Sequence, residues 1–343
     1  MSYQLDELQN ERMNLEMRMP GIPVKMIAVD MDGTLLGADG KVGARNLAAL
    51  LAAEEAGIEV VVATGRRHCY AMRQLRGLGL NENNALVSSN GTVTRTLGAE
   101  LIERNLLGES TSLWLCSHLD EFRNALVVTF DRVGPDGEDD RGALVVEHLE
   151  ELHGSIDRWM TANEPYIAHI SPIELALPGA HSSVVEAPIQ MMLCGTVERM
   201  RRAEARLLER PGVSAVGIEM QEHAGAGAES EVALHRTEYP ERDLSIVDIL
   251  PAGCSKGSAL IRLAARRGVR MEEMLAIGDN WNDVSMLEVA GRAILMANAP
   301  EDLKQEAAAR GWVTGPRHDE DGVAIAIEAV LAELQVGALS GTR

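Results

Sequence analysis

Aromatic residues are scarce. Phe, Trp and Tyr together make up 3% of the 343 residues, so the core has to rest on Ala, Leu, Val, Ile and Met within a hydrophobic share of 46%. Cysteine is also rare: Cys69, Cys116, Cys194 and Cys254 lie far apart and form no CxxC pair. They fit buried thiols in a reducing compartment. Basic residues are in deficit, 32 Lys and Arg against 52 Asp and Glu, for a formal net charge of -20. That balance argues against a free-standing nucleic-acid binder. It also means that an anionic substrate would need locally concentrated positive charge, against the overall field. No apolar run approaches the length of a membrane span. The first segment, "MSYQLDELQNERMNLEMRMPG", mixes acids with bases and lacks the apolar stretch of a signal peptide. A cytoplasmic protein with no membrane partner is expected. The nine histidines show no HxH or HxxxH spacing, and the glycines of "EHAGAGAESE" (222–231) are followed by no GK[ST], so that segment reads as a mobile loop. There are no internal repeats.

What is present has two rhythms. "VKMIAVD" (24–30), "IEVVVATGR" (58–66) and "NALVSSNG" (84–91) are apolar, strand-like runs, with helical segments "ARNLAALLAAEEAG" and "HCYAMRQLRGLG" between them. The alternation implies a parallel, doubly wound α/β sheet with ligands at the C-terminal strand ends. From about 92 to 250 the runs are short and separated by acidic loops such as "DRVGPDGEDDRG", with one strongly amphipathic helix, "TVERMRRAEARLLERPG", whose charged face reads as solvated. After 250 the first rhythm returns. Ser255 is a candidate N-cap and Gly268 a stop for "CSKGSALIRLAARRG"; "MLAIGD" and "RAILMANA" read as strands. The expected organisation is an N-terminal extension (1–23), a Rossmann-like core in two pieces (24–91 and 250–335), an inserted α+β cap (92–249) and a short tail (336–343).

Two acidic clusters carry the chemistry. In "DMDG", Asp30 and Asp32 stand two apart at the end of a strand, so in extended backbone both face one site. Two carboxylates held together have their pKa values pushed apart, which suits one to be an ionised nucleophile and the other a proton donor. The sequence "DMDGTLLGADGK" ends in Lys, which excludes a calcium loop that closes on Glu. In "GDNWND", Asp279 ends another apolar run, and Asn282 and Asp283 follow in the first helical turn. Aspartates from two strand ends make a suitable oxygen cage for Mg²⁺. Lys256, Thr64 with the backbone N–H beside Gly65, and helix N-termini are the groups that could offset this charge and hold a phosphate. Arg66 or Arg67 is a candidate substrate contact, and Trp281 reads as packing.

The segments "DMDGTLL", "ATGR", "SKGSAL" and "GDNWNDVSML" occur in the order of the four motifs of the haloacid dehalogenase-like hydrolases. The large insert, "SSNGT" and "ANAPEDLKQEA…DEDGVA" resemble the Cof-like sugar-phosphate phosphatases with a type C2 cap. The resemblance implies that Asp30 is a nucleophile forming an aspartyl-phosphate and Asp32 the acid/base. It implies Mg²⁺ ligation by Asp30, the backbone carbonyl of Asp32, and Asp279, with Asp283 in support. Thr64, Gly65 and Lys256 would clamp phosphate, and Asn282 would orient Lys256 or phosphate. The expected activity is Mg²⁺-dependent hydrolysis of a small phosphorylated metabolite, such as a sugar phosphate. A phosphotransferase or phosphomutase on the same scaffold, and a non-catalytic binding module, are the alternatives. Neither the substrate nor the oligomeric state is legible.

Overall fold

In the computed structural model, the described residues are 22–134, 137–148, 157–179, 186–215, 231–239 and 242–340. Most of the expected N-terminal extension, all but the last residue of the loop 222–231, and the end of the tail lie outside them. The strands are β1 (Met26–Val29), β2 (Glu59–Ala63), β3 (Ala85–Ser88), β4 (Val93–Thr96), β5 (Leu101–Arg104), β6 (Leu126–Thr129), β7 (Leu144–Val146), β8 (Ile167–His169), β9 (Gln190–Gly195), β10 (Val213–Ala215), β11 (Val232–Tyr239), β12 (Leu244–Pro251), β13 (Met274–Gly278), β14 (Arg292–Met296) and β15 (Val313–Gly315).

Continuous apolar strands must be covered on both faces, and here period-two alternation divides them between two clusters. Ile27, Val29, Val60, Val62, Leu275 and Ile277 point to the side where Leu50 and Ile327 pack. Met26, Ala28, Val61, Ala63, Met274 and Ala276 point to the other, against Leu260, Leu263, Val284 and Leu303. Helices Ala44–Glu55 and Gly322–Ser340 cover the first face; Lys256–Arg267, Val284–Val289 and Glu301–Arg310 cover the second. The resulting eight-stranded sheet has the order β15-β14-β13-β1-β2-β3-β4-β5. It is parallel from β15 to β3. From β1 the chain runs one way through β2 and β3 and later returns on the other side as β13 to β15. The topological switch point therefore falls between β1 and β13, the place where open α/β sheets bind ligands.

The sheet extends beyond the expected core boundary at residue 91. Strand β4 pairs antiparallel with β3 and β5 antiparallel with β4, so this sheet runs to Arg104. The cause is the turn at 89–91, where Ser89, Asn90 and Gly91 all adopt positive φ and reverse the chain at once. At its other junction, β12 continues the inserted sheet to Pro251, just past the expected boundary at 249.

The inserted unit is a seven-stranded sheet of order β10-β11-β12-β9-β6-β7-β8. One face packs on helices Glu109–His118 and Val197–Leu208 through Leu115, Met200, Ala203 and Leu207. The opposite face turns to the first sheet. On β11 the alternation is explicit: Leu234 joins the helix-covered core, and Arg236 and Glu238 pair with Glu204 and Arg201. His235, Thr237 and Tyr239 face the other way, and His235 Nε2 lies 3.1 Å from the Cys254 carbonyl oxygen. Ion pairs join the two units: Arg95 to Asp131 at 2.7 Å, and Arg67 to Asp139, with Arg67 also donating to Asn163 Oδ1 at 2.5 Å. All four cysteines are buried free thiols. Among the described residues no helix is long and apolar enough to cross a membrane.

Gly91 has φ 94°, and a Cβ there would stand 2.1 Å from the carbonyl oxygen of Ser255. Both the left-handed backbone and the close approach require glycine. Gly91→Ala is therefore expected to cost more than about 3 kcal/mol in urea unfolding, within the range for combined backbone strain and overpacking.

Candidate active site

Adjacent parallel strands place their ends about 4.8 Å apart. Asp30 follows β1, Asp279 follows β13 and Thr64 follows β2, so three neighbouring strand ends deliver three polar residues to one rim. A carboxylate oxygen from each of Asp30, Asp279 and Asp283 lies within 4.8 Å of the others, and all three residues are buried. Lys256 is fully buried among them. Its ammonium donates to Asp30 Oδ1 at 2.5 Å and to Asp283 Oδ1 at 2.6 Å. Ser255 brings it there: its hydroxyl caps helix Lys256–Arg267 by accepting from the Ser258 N–H at 3.0 Å, and Gly268 ends that helix in the left-handed conformation.

The turn between β13 and its helix is built on Asp283. Residues 281–283 form a single 3₁₀ turn ahead of helix Val284–Val289 instead of the helix's first turn. The cause is that Asp283 Oδ2 accepts from the backbone N–H groups of Asp279 and Asn280, at 2.9 and 3.0 Å. Asp283 thus meets three donors. Asp279 accepts from the Thr34 hydroxyl at 3.0 Å and from Asn298 Nδ2 at 3.1 Å. Gly33, at φ 80°, lets the loop pass: a Cβ would stand 2.2 Å from Asp279 Oδ2.

Electrostatics follow from this crowding. Burial first, then Asp283, push the Asp30 carboxyl up to about 7 against the pull of Lys256. Burial and then Asp30 raise Asp279 well above the usual carboxylate range. Burial works against the charge on Lys256, yet Asp283 and Asp30 hold its pKa above the ordinary lysine value. Three carboxylates against one ammonium leave two negative charges if all ionise. A divalent cation among the three carboxylate oxygens would balance them, and an all-oxygen donor set suits Mg²⁺. The residues present therefore fit the ion.

Other expected residues fall into place differently. The Asp32 carboxylate is outside the cluster; Arg66 grips both its oxygens, at 2.7 and 2.6 Å. Arg66 is thus tied to the other acid of the DxD pair, and Arg67 to the cap. Thr64 Oγ1 accepts from the Arg66 N–H at 3.1 Å. Asn282, expected to orient Lys256 or phosphate, donates through Nδ2 to Asn90 Oδ1 at 3.1 Å, and the ammonium is taken by Asp30 and Asp283. Trp281 is buried in the apolar cluster with Leu260 and Leu303. Sequence reasoning gave no role to Asn90, Asn298, Tyr239 or Asp248. Asn90 and Asn298 sit in segments that carried the resemblance, which was the available signal. Tyr239 and Asp248 are cap residues, and only sheet register brings them to this rim. Burial and then the charges of Asp32, Asp279, Asp30 and Asp283 raise the Tyr239 phenol, and its strand β11 packs against the 281–283 turn.

The haloacid dehalogenase-like hydrolase family profile matches residues 27–134 and 229–327. The chain belongs to that family. It is 31% identical over 313 residues to the phosphatase YwpJ of Bacillus subtilis, covering 88% of this chain and 98% of that one. It is 29% identical over 318 residues to the 5-amino-6-(5-phospho-D-ribitylamino)uracil phosphatase YwtE of the same organism, covering 90% and 99%. Among solved structures, a haloacid dehalogenase-like hydrolase from B. subtilis aligns with TM-score 0.67 and 26% identity over 89% of this chain and 99% of its own.

In metal-free protein, folded Asp30 keeps its proton between the ordinary 3.8 and about 7, where the unfolded chain has released it. The folded state binds more protons there, so this residue's contribution to stability falls as pH rises through that window. Asp30→Asn removes the term. In EDTA-treated protein, the unfolding free energy of the variant minus that of the native chain should grow between pH 4 and pH 7, measured by urea titration.

Proposed function

We propose that the chain hydrolyses a small phosphorylated metabolite, such as a sugar phosphate, through an aspartyl-phosphate on Asp30, with Mg²⁺ as cofactor. That it is a phosphoric monoester hydrolase follows from its family and the phosphatases it resembles. The observation that carries the finer reading is the buried Lys256 ammonium shared by Asp30 and Asp283 beside Asp279.

Asp30 attacks phosphorus with a carboxylate oxygen while the ester oxygen departs in line. Asp32, let go by Arg66 and protonated from solvent, gives its proton to the departing oxygen. A water then attacks the same phosphorus, gives its proton to Asp32, and frees inorganic phosphate and the Asp30 carboxylate. Lys256 faces the phosphoryl oxygens as a fixed charge, and the hydroxyl of Thr64, the N–H beside Gly65 and Asn282 supply hydrogen bonds. Asp30, Asp279 and the Asp32 carbonyl would hold Mg²⁺, with Asp283 in support. When bound, the ion neutralises carboxylate and phosphoryl charge and draws the Asp30 pKa down. The leaving group would lie under the cap face that carries Tyr239. The buried, unpaired cysteines support a reducing, cytoplasmic setting.

Phosphate release from a panel of phosphorylated metabolites with Mg²⁺ tests the reading, and product analysis separates hydrolysis from transfer to a second sugar. Asp30→Asn should lower turnover at least about 10⁴-fold, as for other nucleophiles that act within a unit, with the circular dichroism spectrum unchanged. Near-full turnover in that variant would refute the covalent route. Lys256→Met should also abolish turnover. Because it strips the ammonium from a buried carboxylate pair, it should destabilise the metal-free chain by about 3–5 kcal/mol in urea unfolding.

A further inference from the structure

Asp248 lies on β12 of the cap, opposite His235 of β11 and Met192 of β9. It is only 5% exposed. A buried carboxyl is expensive unless a partner compensates it. The cations nearby are otherwise engaged: Lys256 serves Asp30 and Asp283, and burial holds the His235 imidazole down at about 4, hence neutral. The partner that Asp248 does have is across the domain junction: Asn90 Nδ2 donates to Asp248 Oδ2 at 2.8 Å.

Asn90 is itself fully buried, at φ 51° in the turn after β3. Its backbone N–H donates to the Thr64 carbonyl at 3.0 Å. Its side-chain oxygen accepts from Asn282 Nδ2 at 3.1 Å. Burial pushes the Asp248 carboxyl up to about 7 against the pull of the Asn90 hydrogen bond and of Lys256. Its Oδ2 accepts from Asn90 Nδ2, and that contact sets which end of the Asn90 amide faces it. The amide nitrogen turns to the cap, the oxygen turns to Asn282, and Asn282 is oriented in consequence. Three buried side chains thus carry one polarity from a cap strand to the phosphate rim.

We infer that Asp248 is a positioning residue for phosphate binding, acting through the Asn90 amide on Asn282. The inference rests on the phosphatase reading above and adds to it that cap seating sets the geometry of the anion pocket. An apolar residue at 248 would fill the space at lower desolvation cost but leave both amides free to rotate.

The test uses the full chain with Mg²⁺ and inorganic phosphate as competitive inhibitor. Asp248→Leu should raise the inhibition constant for phosphate about tenfold, as expected for loss of an oriented hydrogen bond. Asp248→Asn, which keeps an acceptor oxygen, should recover to within about threefold of the native value. Asn90→Gly tolerates the left-handed backbone and deletes the amide, so it should match Asp248→Leu and serves if that variant does not fold. In an Asn282→Ala background, Asp248→Leu should add less than about twofold, since the path already ends at Asn282. Additive losses in the double variant, or an unchanged inhibition constant in Asp248→Leu and Asn90→Gly, would overturn the inference and leave the phosphatase reading intact. If the native chain released phosphate from no ester and bound no phosphate, the phosphatase reading would fall, and this inference with it.

Discussion

One buried ammonium group holds the rim together. Lys256, with none of its side chain exposed, sits between Asp30 and Asp283 and converts a repulsive set of strand-end acids into a foldable one. Its position demands several other features. Ser255 must cap the helix so that its first residue points inward. Gly91 must leave room for the carbonyl of Ser255, and Gly33 must leave room for Asp279. Each is a small residue at a crowded junction, and each follows from placing a single charge where three carboxylates meet.

The same arrangement leaves the acids under-compensated, and this imbalance has chemical consequences. Asp30 is pushed up to about 7 because burial and Asp283 outweigh Lys256. A carboxyl so placed would gain from added positive charge, and this is the physical ground for the divalent ion and the phosphate in the function proposed above. The overall charge of -20 makes this local concentration necessary. On that proposal, anion binding would depend on burial and short distance, since the long-range field opposes an anionic ligand.

Much of the rim was legible in the sequence because its residues are tied to strand ends. Apolar runs closing on Asp30 and Asp279 mark where a parallel strand stops, and the strand order puts the two ends side by side at the switch point. The capping residues Ser255 and Gly268 were equally legible, because capping is a local requirement. What escaped depends on long-range register. Nothing in "ALHRTEY" or "LSIVDILP" says that Tyr239 and Asp248 share a face turned to the core, since that parity is fixed by the pairing of β11, β12 and β9. The core sheet continues past the expected boundary at 91 for a related reason. A turn of three consecutive positive-φ residues converts what reads as a domain exit into a hairpin that extends the core sheet.

The junction between the two units follows from the same logic. A cap that merely covered the rim could meet it through water. Here it meets the rim through buried polar contacts: Asp248 with Asn90, His235 with the Cys254 carbonyl, and Arg67 with Asp139 and Asn163. Buried hydrogen bonds are directional and costly to leave unmade, so they tolerate few alternative seatings. Apolar contacts such as those of Met192 and Leu244 on the same face would slide at lower cost. The polar contacts therefore fix how the cap sits, and they converge on Asn90, which touches the loop after β2, the turn after β13 and the cap at once. On the inference drawn above, the geometry of the anion pocket and the seating of the cap would be one structural variable, set by the directionality of a single amide.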